Sequence, residues 1–366
     1  MKVHITLVGG QPAPVYHGII ATQPDKIVFV YSDESRVSAE RLSKEVKSIP
    51  SERRKMDPVD LNDIEKKVSQ CAKDFKDDEV SVNISSGTKP WAFYFAKIFG
   101  QMPNATLFYV DQNNTLWNLT DKSSRKVDVD MDAQFRLLGN RLTDYRRFDI
   151  YNAEDEECVR QIEMLRSHSF AEFNELVVYF DKHQNAIEYT TAKGSCLQWD
   201  KTSKVFCCQL KNRKGKRYDV TFGSPRVRHL LLNTGWFEFK VAKMLARWER
   251  VSDIRLNCKF PASNMAPKNE IDIILNVAGK LLFVECKTQI REVTDIDKFS
   301  AAVKNYGGMG SKALFVTDAP MAAIAKEKCM DNGIMTYSLQ DEHFGMPDEK
   351  ALAMLLDCEL FNINAK

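Results

Sequence analysis

No stretch of the 366 residues approaches 18 consecutive apolar positions, so a membrane-spanning helix is not expected. The opening segment, MKVHITLVGG, has no apolar signal-peptide core and instead alternates polar and apolar residues like a first strand. An excess of charge of one sign is lacking: 52 Lys and Arg stand against 50 Asp and Glu, a net charge of +2. The global balance therefore names no partner, and a nucleic-acid activity would need a local basic surface. The nine cysteines form no CxxC pair, and with the six histidines they form no zinc spacing. With no export signal, reduced thiols in a cytoplasmic protein are expected. HExxH, GxxxxGK[ST] and a GxGxxG after the first strand are all missing, which argues against a zinc hydrolase, a Walker A NTPase and a dinucleotide oxidoreductase. Repeats and low-complexity segments are also missing.

What is present is an ordinary globular composition, 44% hydrophobic and 28% charged, long enough for two or three domains. Residues 1–120 alternate strand and helix patterns. Val3 to Val8, Lys26 to Tyr31 (KIVFVY) and Glu79 to Ile84 read as strands, and Thr106 to Leu119 as a hairpin turning at 111–114. Between them, Ala39, Leu42, Val46 and Ile49, then Leu61, Ile64, Val68, Cys71 and Phe75, fall at helical spacing. Strands separated by helices predict a parallel, doubly wound sheet. In the middle, Phe135, Leu138, Leu142 and Tyr145 predict a helix, the acidic run 154–157 begins another, and 187–222 reads as short strands. Residues 226–366 form a second α/β unit: a helix from Thr234 to Arg250, strands near 251–260, 270–277 and 281–287, then alternating helices and strands to 338.

The segment NEIDIILNVAGKLLFVECKT (269–288) reads as two apolar strands turning at Ala278-Gly279. In that register paired positions sum to 557, which sets Asp272 opposite Glu285. Opposed side chains share a face about 4.5–5.5 Å apart, and Lys287, two residues beyond Glu285, shares it too. Opposed like charges destabilise a bare hairpin, whereas Mg²⁺ takes one or two carboxylates together with water and phosphate oxygens. Lys287 would orient an attacking water or, as the neutral amine, deprotonate it, or, as the ammonium, stabilise charge developing on phosphorus. The competing reading is a surface salt-bridge cluster. Glu238 lies one helix upstream, and spacing does not settle whether it reaches the site. Gln289 shares the face if the strand extends that far.

This arrangement resembles the PD-(D/E)XK nuclease superfamily, with Asp272, Glu285-Cys286-Lys287 and the helical Glu238 matching its pattern and Ile271 standing where the motif has proline. The resemblance spans about 226–340. It implies a restriction-endonuclease-like fold and catalysis by Glu238, Asp272, Glu285 and Lys287, with Asp272 and Glu285 holding Mg²⁺ or Mn²⁺. Lys304 to Gly308 looks like a helix-end segment of some of these nucleases, and reads equally as a glycine helix C-cap.

At the other end, strand 79–84 runs into Ser85-Ser86-Gly87-Thr88-Lys89-Pro90 before a helix. Pro suits the first helical position, small residues let backbone N–H groups approach a ligand, and a helix N-terminus attracts phosphate. A tight turn with a helix cap is the simpler reading. The segment resembles the N-x-[ST]-[SG]-G-T-K signature of CARF domains, Rossmann-like sensors of the cyclic oligoadenylates made in type III CRISPR defence. Ser85, Ser86, Gly87, Thr88 and Lys89 map onto that signature, and Gly10, Gln11 and Ser32 are carried over by loop position. In that family the ligand lies on a two-fold axis between two copies.

Together the two resemblances imply a CARF-like sensor at 1–145, a linking region at 146–225 and a PD-(D/E)XK-like nuclease domain at 226–366. The expected protein is a cytoplasmic homodimer that cuts DNA and/or RNA when cyclic tetra-adenylate binds, with no membrane partner. A ligand-responsive transcription regulator whose middle region is a winged helix is the alternative, and a nucleotide-binding metabolic enzyme a further one. Within the linking region, Lys201 to Arg217 holds seven basic residues and no acidic one. Lys211, Arg213, Lys214, Lys216 and Arg217 are either a solvated loop or a phosphate-tracking surface, with Trp199 and Tyr218 as stacking platforms or core. The histidines show no pairing and are read as structural.

Overall fold

The computed structural model describes residues 1–111, 113–128, 130–261, 270–290, 292–308, 310–343 and 345–363. Asn269, at the head of the hairpin segment, lies outside them.

The KVHITL strand, Lys2–Leu7, is buried from its second residue on, as a strand covered by helices on both faces must be. Lys26–Tyr31 and Glu79–Asn83 flank it in parallel. The whole sheet runs Ser51–Lys55, Lys26–Tyr31, Lys2–Leu7, Glu79–Asn83, Ala105–Val110, Thr115–Asn118, Ser124–Lys126, and only its last two strands are antiparallel additions. The chain leaves the central strand to one side and later returns on the other. The topological switch therefore falls between the ends of Lys2–Leu7 and Glu79–Asn83, where α/β sheets bind ligands. Two elements carry no clear sequence pattern. Ser51–Lys55 (SERRK) is a charged edge strand, kept in place by Lys26–Glu52 and Arg54–Asp74 ion pairs of 2.7 Å each. Helix Ala13–Thr22 packs Gly18 against Asn83, where any Cβ would run into the Asn83 amide.

In the middle region the acidic run does begin a helix, Ala153–His168, with Asn152 and Asp155 forming a reciprocal capping box. A second helix, Phe170–Lys182, follows, then a four-stranded antiparallel sheet of Glu188–Thr190, Cys196–Asp200, Val205–Lys211 and Arg217–Phe222. These elements share one core with the first helix of the C-terminal unit.

The C-terminal sheet runs Ile334–Ser338, Lys312–Thr317, Lys280–Lys287, Glu270–Val277, Val251–Lys259, Asp144–Arg147. Its first two steps are parallel and the remainder antiparallel. Its outermost strand corrects the helix expected through Phe135, Leu138, Leu142 and Tyr145. The helix is Met131–Leu137, ending at Gly139 with φ +79°, and residues 144–147 are extended. The apolar positions are still core: Phe135 is fully buried with Phe260 and Phe283, and Leu142 and Tyr145 pack on the same cluster. Residues 131–147 thus bridge the two units: Leu137 packs with the N-terminal core and Arg136 pairs with Glu45, while Phe135, Leu142 and Tyr145 pack on the C-terminal sheet. The helix expected over 234–250 is shorter, Gly235–Ala246.

Candidate active site and sensor loops

The hairpin pairs Ile273 with Val284, Ile274 with Phe283 and Leu275 with Leu282, the expected register. One step further along, Asp272 stands opposite Glu285. An Asp272 carboxylate oxygen accepts the Cys286 backbone N–H at 2.8 Å, and the Lys287 ammonium donates to Glu285 Oε1 at 2.6 Å. The alternate positions of these strands are apolar and buried, so the pleat holds the two acids and the lysine on one side. Glu238 sits in the first turn of Gly235–Ala246, 6% exposed, and accepts from Asn257 Nδ2 at 2.7 Å.

The electrostatics tie these groups into one site. Burial, and then the charge of Asp272, push both Glu238 and Glu285 up to about 8. Burial also raises Asp272, against the pull of Lys287. Burial opposes the charge on Lys287, but Glu285 and Asp272 outweigh it and lift the ammonium above its ordinary value. Three carboxyl groups therefore face one ammonium, which leaves uncompensated negative charge whenever all three ionise. Among the described residues no group of three or more His, Cys, Asp or Glu side chains is placed to hold a metal ion. The donor set that fits a cation is the opposed pair Asp272 and Glu285, with water and substrate oxygens completing the shell, the arrangement Mg²⁺ favours. The strand ends at Lys287, and Gln289, two residues beyond, is exposed.

At the N-terminal switch point the loops after two neighbouring strands are stitched together. Gly9 N–H donates to Ser86 Oγ at 3.1 Å, and Ser86 Oγ donates to the Gln11 carbonyl at 3.4 Å. Asn83 Oδ1 accepts from the Ser85 N–H at 3.0 Å and from its hydroxyl, while Ser85 Oγ accepts from Val110 N–H at 2.6 Å. Gly87 has φ +79°, and a Cβ there would lie 2.8 Å from Leu7 Cβ. Thr88 caps helix Lys89–Phe99 by accepting from Trp91 N–H at 3.4 Å. Lys89 is exposed and makes no ion pair among the described residues. Gly10 and Gln11 line a cavity of about 610 Å³ that reaches Asn114, Gly279 and Lys280. Ser32 is 6% exposed, and its N–H donates to Ser35 Oγ at 3.0 Å.

The basic residues gather on one hairpin of the middle sheet. Lys211 and Arg217 end its two strands, while Arg213, Lys214 and Lys216 lie in the turn, where Asn212 Oδ1 accepts from the N–H groups of Lys214 and Lys216 at 3.0 Å each. Arg217 pairs with Asp219 at 2.9 Å. Trp199 and Tyr218 pack partly buried on the core. Among the described residues no hydrogen bond or ion pair links this turn to the carboxylates. Asn257 was not visible as a site residue from sequence. Its one signal is a polar residue between the apolar Leu256 and Cys258.

Comparison with known proteins fits both halves. The Card1 CARF domain model matches residues 3–137, and the Card1-like endonuclease domain model matches residues 225–336. No curated protein sequence matches the chain. Among solved structures, the chain is similar to Can2 from Sulfobacillus thermosulfidooxidans in complex with cyclic tetra-adenylate (TM-score 0.68, 18% identity, 98% of this chain and 99% of that one). It is also similar to VC1899 from Vibrio cholerae (TM-score 0.71, 16% identity, 92% and 94% covered). A third structure is a type III CRISPR defence DNA nuclease activated by cyclic oligoadenylate (TM-score 0.59, 18% identity), of which this chain spans 51% while 96% of this chain is covered. At these identities the likeness is one of fold. The domain matches say more: the chain carries a Card1 CARF domain followed by a Card1-like endonuclease domain.

Proposed function

We propose that the protein is a metal-dependent endonuclease of type III CRISPR defence, switched on by cyclic tetra-adenylate and working as a homodimer in the cytoplasm on DNA and/or RNA. The observation that carries this reading is the opposed pair Asp272 and Glu285, with Lys287 bound to Glu285 at 2.6 Å and Glu238 electrostatically joined to them. Bound there, Mg²⁺ or Mn²⁺ would neutralise the carboxylates and act as Lewis acid toward a phosphodiester. Lys287, kept protonated by its acidic neighbours, donates to charge developing on the phosphoryl oxygens. The Cys286 N–H fixes the Asp272 carboxylate. Glu238, held by Asn257, completes the acidic side.

The sensor is assigned to 1–145, the linking region to 146–225 and the nuclease domain to 226–366, with 131–147 bridging onto the nuclease sheet. Gly10, Gln11, Ser85, Ser86, Gly87, Thr88 and Lys89 form the ligand-binding loops, and Ser32 is assigned a supporting place by loop position. The activator matches the ligand of Can2, a structural relative. A second copy is supported by exposed apolar side chains on the sensor: Phe93, on the helix beginning at Lys89, is 61% exposed, and Trp117 is 40% exposed. Closed-form preference of the ligand would shift the population toward a competent dimer. Lys211, Arg213, Lys214, Lys216 and Arg217 are an accessory phosphate-tracking surface. Among the described residues no helix is long and apolar enough to cross a membrane.

The test is a cleavage panel of plasmid, single-stranded DNA and RNA with each cyclic oligoadenylate and Mn²⁺. Cleavage of at least one substrate that depends on both cyclic tetra-adenylate and Mn²⁺ supports the reading. Sequence-specific duplex binding without cleavage would replace it with the regulator.

A further inference from the structure

On the Glu238 side of the carboxylate pair lies a cavity of about 340 Å³, lined chiefly by Arg146, His229, Glu238, Asn257, Lys259 and Glu270. The backbone is shaped around it. Val251–Lys259 changes register against Asp144–Arg147 between Leu256 and Lys259, and Asn257 takes φ +50°. Such irregularities re-aim a side chain, and a strained non-glycine conformation persists where its surroundings impose it. Asn257 is 8% exposed; its Nδ2 is used on Glu238, but its Oδ1 is buried without a partner. His229 Nε2 is likewise buried without a partner. Buried polar atoms are rarely left so, and these two line the same hollow.

The cavity is electrically divided. At one end Glu238 faces Asp272 and Glu270. At the other, burial together with Arg146 and Lys259 pushes His229 down to about 4, so it is neutral. Lys259 is tied at the rim to Asp144 at 3.0 Å, whereas Arg146 makes no ion pair among the described residues. A polyanion threaded past the carboxylates would meet this basic end next.

We propose that the cavity seats the nucleotide adjoining the scissile phosphate. Its phosphate is taken by Arg146 with Lys259 and His229, and its sugar hydroxyl or base amine is accepted by Asn257 Oδ1. This assignment rests on the nuclease reading and names Arg146 and Asn257 as substrate-positioning residues. The basic hairpin at 211–217 is a separate surface.

The experiment measures binding of labelled single-stranded DNA and RNA oligonucleotides to the full-length protein with cyclic tetra-adenylate in EDTA, across a salt series, alongside steady-state cleavage in Mn²⁺. Arg146→Ala is expected to raise Kd and KM about tenfold, with a smaller change in kcat. It should also lower the salt slope by about one phosphate contact. Arg146→Lys restores most of the binding. Lys259→Gln, at the exposed rim, serves as the second variant should Arg146→Ala fail to fold, and should lower the slope as well. Weaker RNA binding alone in Asn257→Ala assigns its contact to the 2′-hydroxyl; equal weakening on both polymers assigns it to the base. Unchanged Kd and salt slope in folded Arg146→Ala or Lys259→Gln overturns the proposal. Because binding is read without metal, that result stands by itself. A parent protein that cleaves nothing would instead count against the nuclease reading.

Discussion

Asn114 donates from its side-chain amide to the carbonyl oxygen of Ala278 at 2.8 Å, across 164 residues of sequence. Ala278 and Gly279 are the turn of the hairpin that carries Asp272 and Glu285. Gly279 has φ +80°, and a Cβ on it would run into the Asn114 amide. Lys280 adds a bond to Asn113 Oδ1 at 3.0 Å. The N-terminal unit thus grips the far end of the hairpin that carries the two carboxylates, and the Gly10-Gln11 loop lines the same cavity as Asn114 and Gly279.

This contact offers a path from the Gly10-Gln11 loop and its cavity to the hairpin of the carboxylates. In Asn114→Ala, cyclic tetra-adenylate should still raise the melting temperature as in the parent, while ligand-stimulated cleavage falls roughly tenfold toward the basal rate, the lower part of an allosteric coupling of about 1–3 kcal/mol. Gly279→Ala should in addition lose about 1–2 kcal/mol of stability, because alanine tolerates that conformation poorly. Denaturant melts and ligand-dependent cleavage rates check both; full stimulation in Asn114→Ala would remove this path.

Gly87→Ala should damage the sensor loop at its tightest point. The new methyl meets Leu7 and Trp91 at 2.8 and 2.9 Å, on a backbone with φ +79°. Lys89→Ala leaves the fold intact, since Lys89 is exposed. Both variants should weaken cyclic tetra-adenylate binding by tenfold or more in calorimetry, Gly87→Ala with a lower melting temperature and Lys89→Ala without one.

The carboxylates also predict how metal and pH interact. Burial, and then Asp272, push Glu238 and Glu285 from the ordinary 4.5 up to about 8 on folding. The metal-free folded state binds the extra protons, so their contribution to stability is complete below about 4.5 and is lost as pH rises toward 8. A cation must displace those protons at low pH and need not at high pH. The rise in melting temperature produced by Mn²⁺ should therefore be larger at pH 8.5 than at pH 6, and Glu285→Gln should remove most of that difference. Differential scanning fluorimetry at the two pH values reads it directly.

Much of the candidate site was legible because a hairpin has few degrees of freedom. Once the turn is placed at Ala278-Gly279, every pairing follows, and Asp272 opposite Glu285 is arithmetic. The SSGTK loop was legible for a similar reason, since a strand, small residues and Pro90 bound it tightly. The spacing of Leu138, Leu142 and Tyr145 fits a helix, but Gly139, in a left-handed conformation, ends it; in the segment beyond, Leu142 and Tyr145 still reach the core. Ser51–Lys55 has no apolar alternation to read, since edge strands are stabilised by neighbours and charge. Asn114 on Ala278, and Asn257 on Glu238, are tertiary contacts with no local pattern at either end. The place of His229 beside Arg146 and Lys259 is likewise a tertiary arrangement with no local pattern.

The most direct test of the central claim is cleavage by the parent, Glu285→Gln and Lys287→Ala proteins, each saturated with cyclic tetra-adenylate and supplied with Mn²⁺, with ligand binding measured in parallel. The account predicts that both variants bind the activator like the parent and cut at least 100-fold more slowly, the loss seen when one electrostatic group of a hydrolytic site is removed. Cleavage at the parent rate in either folded variant would contradict it.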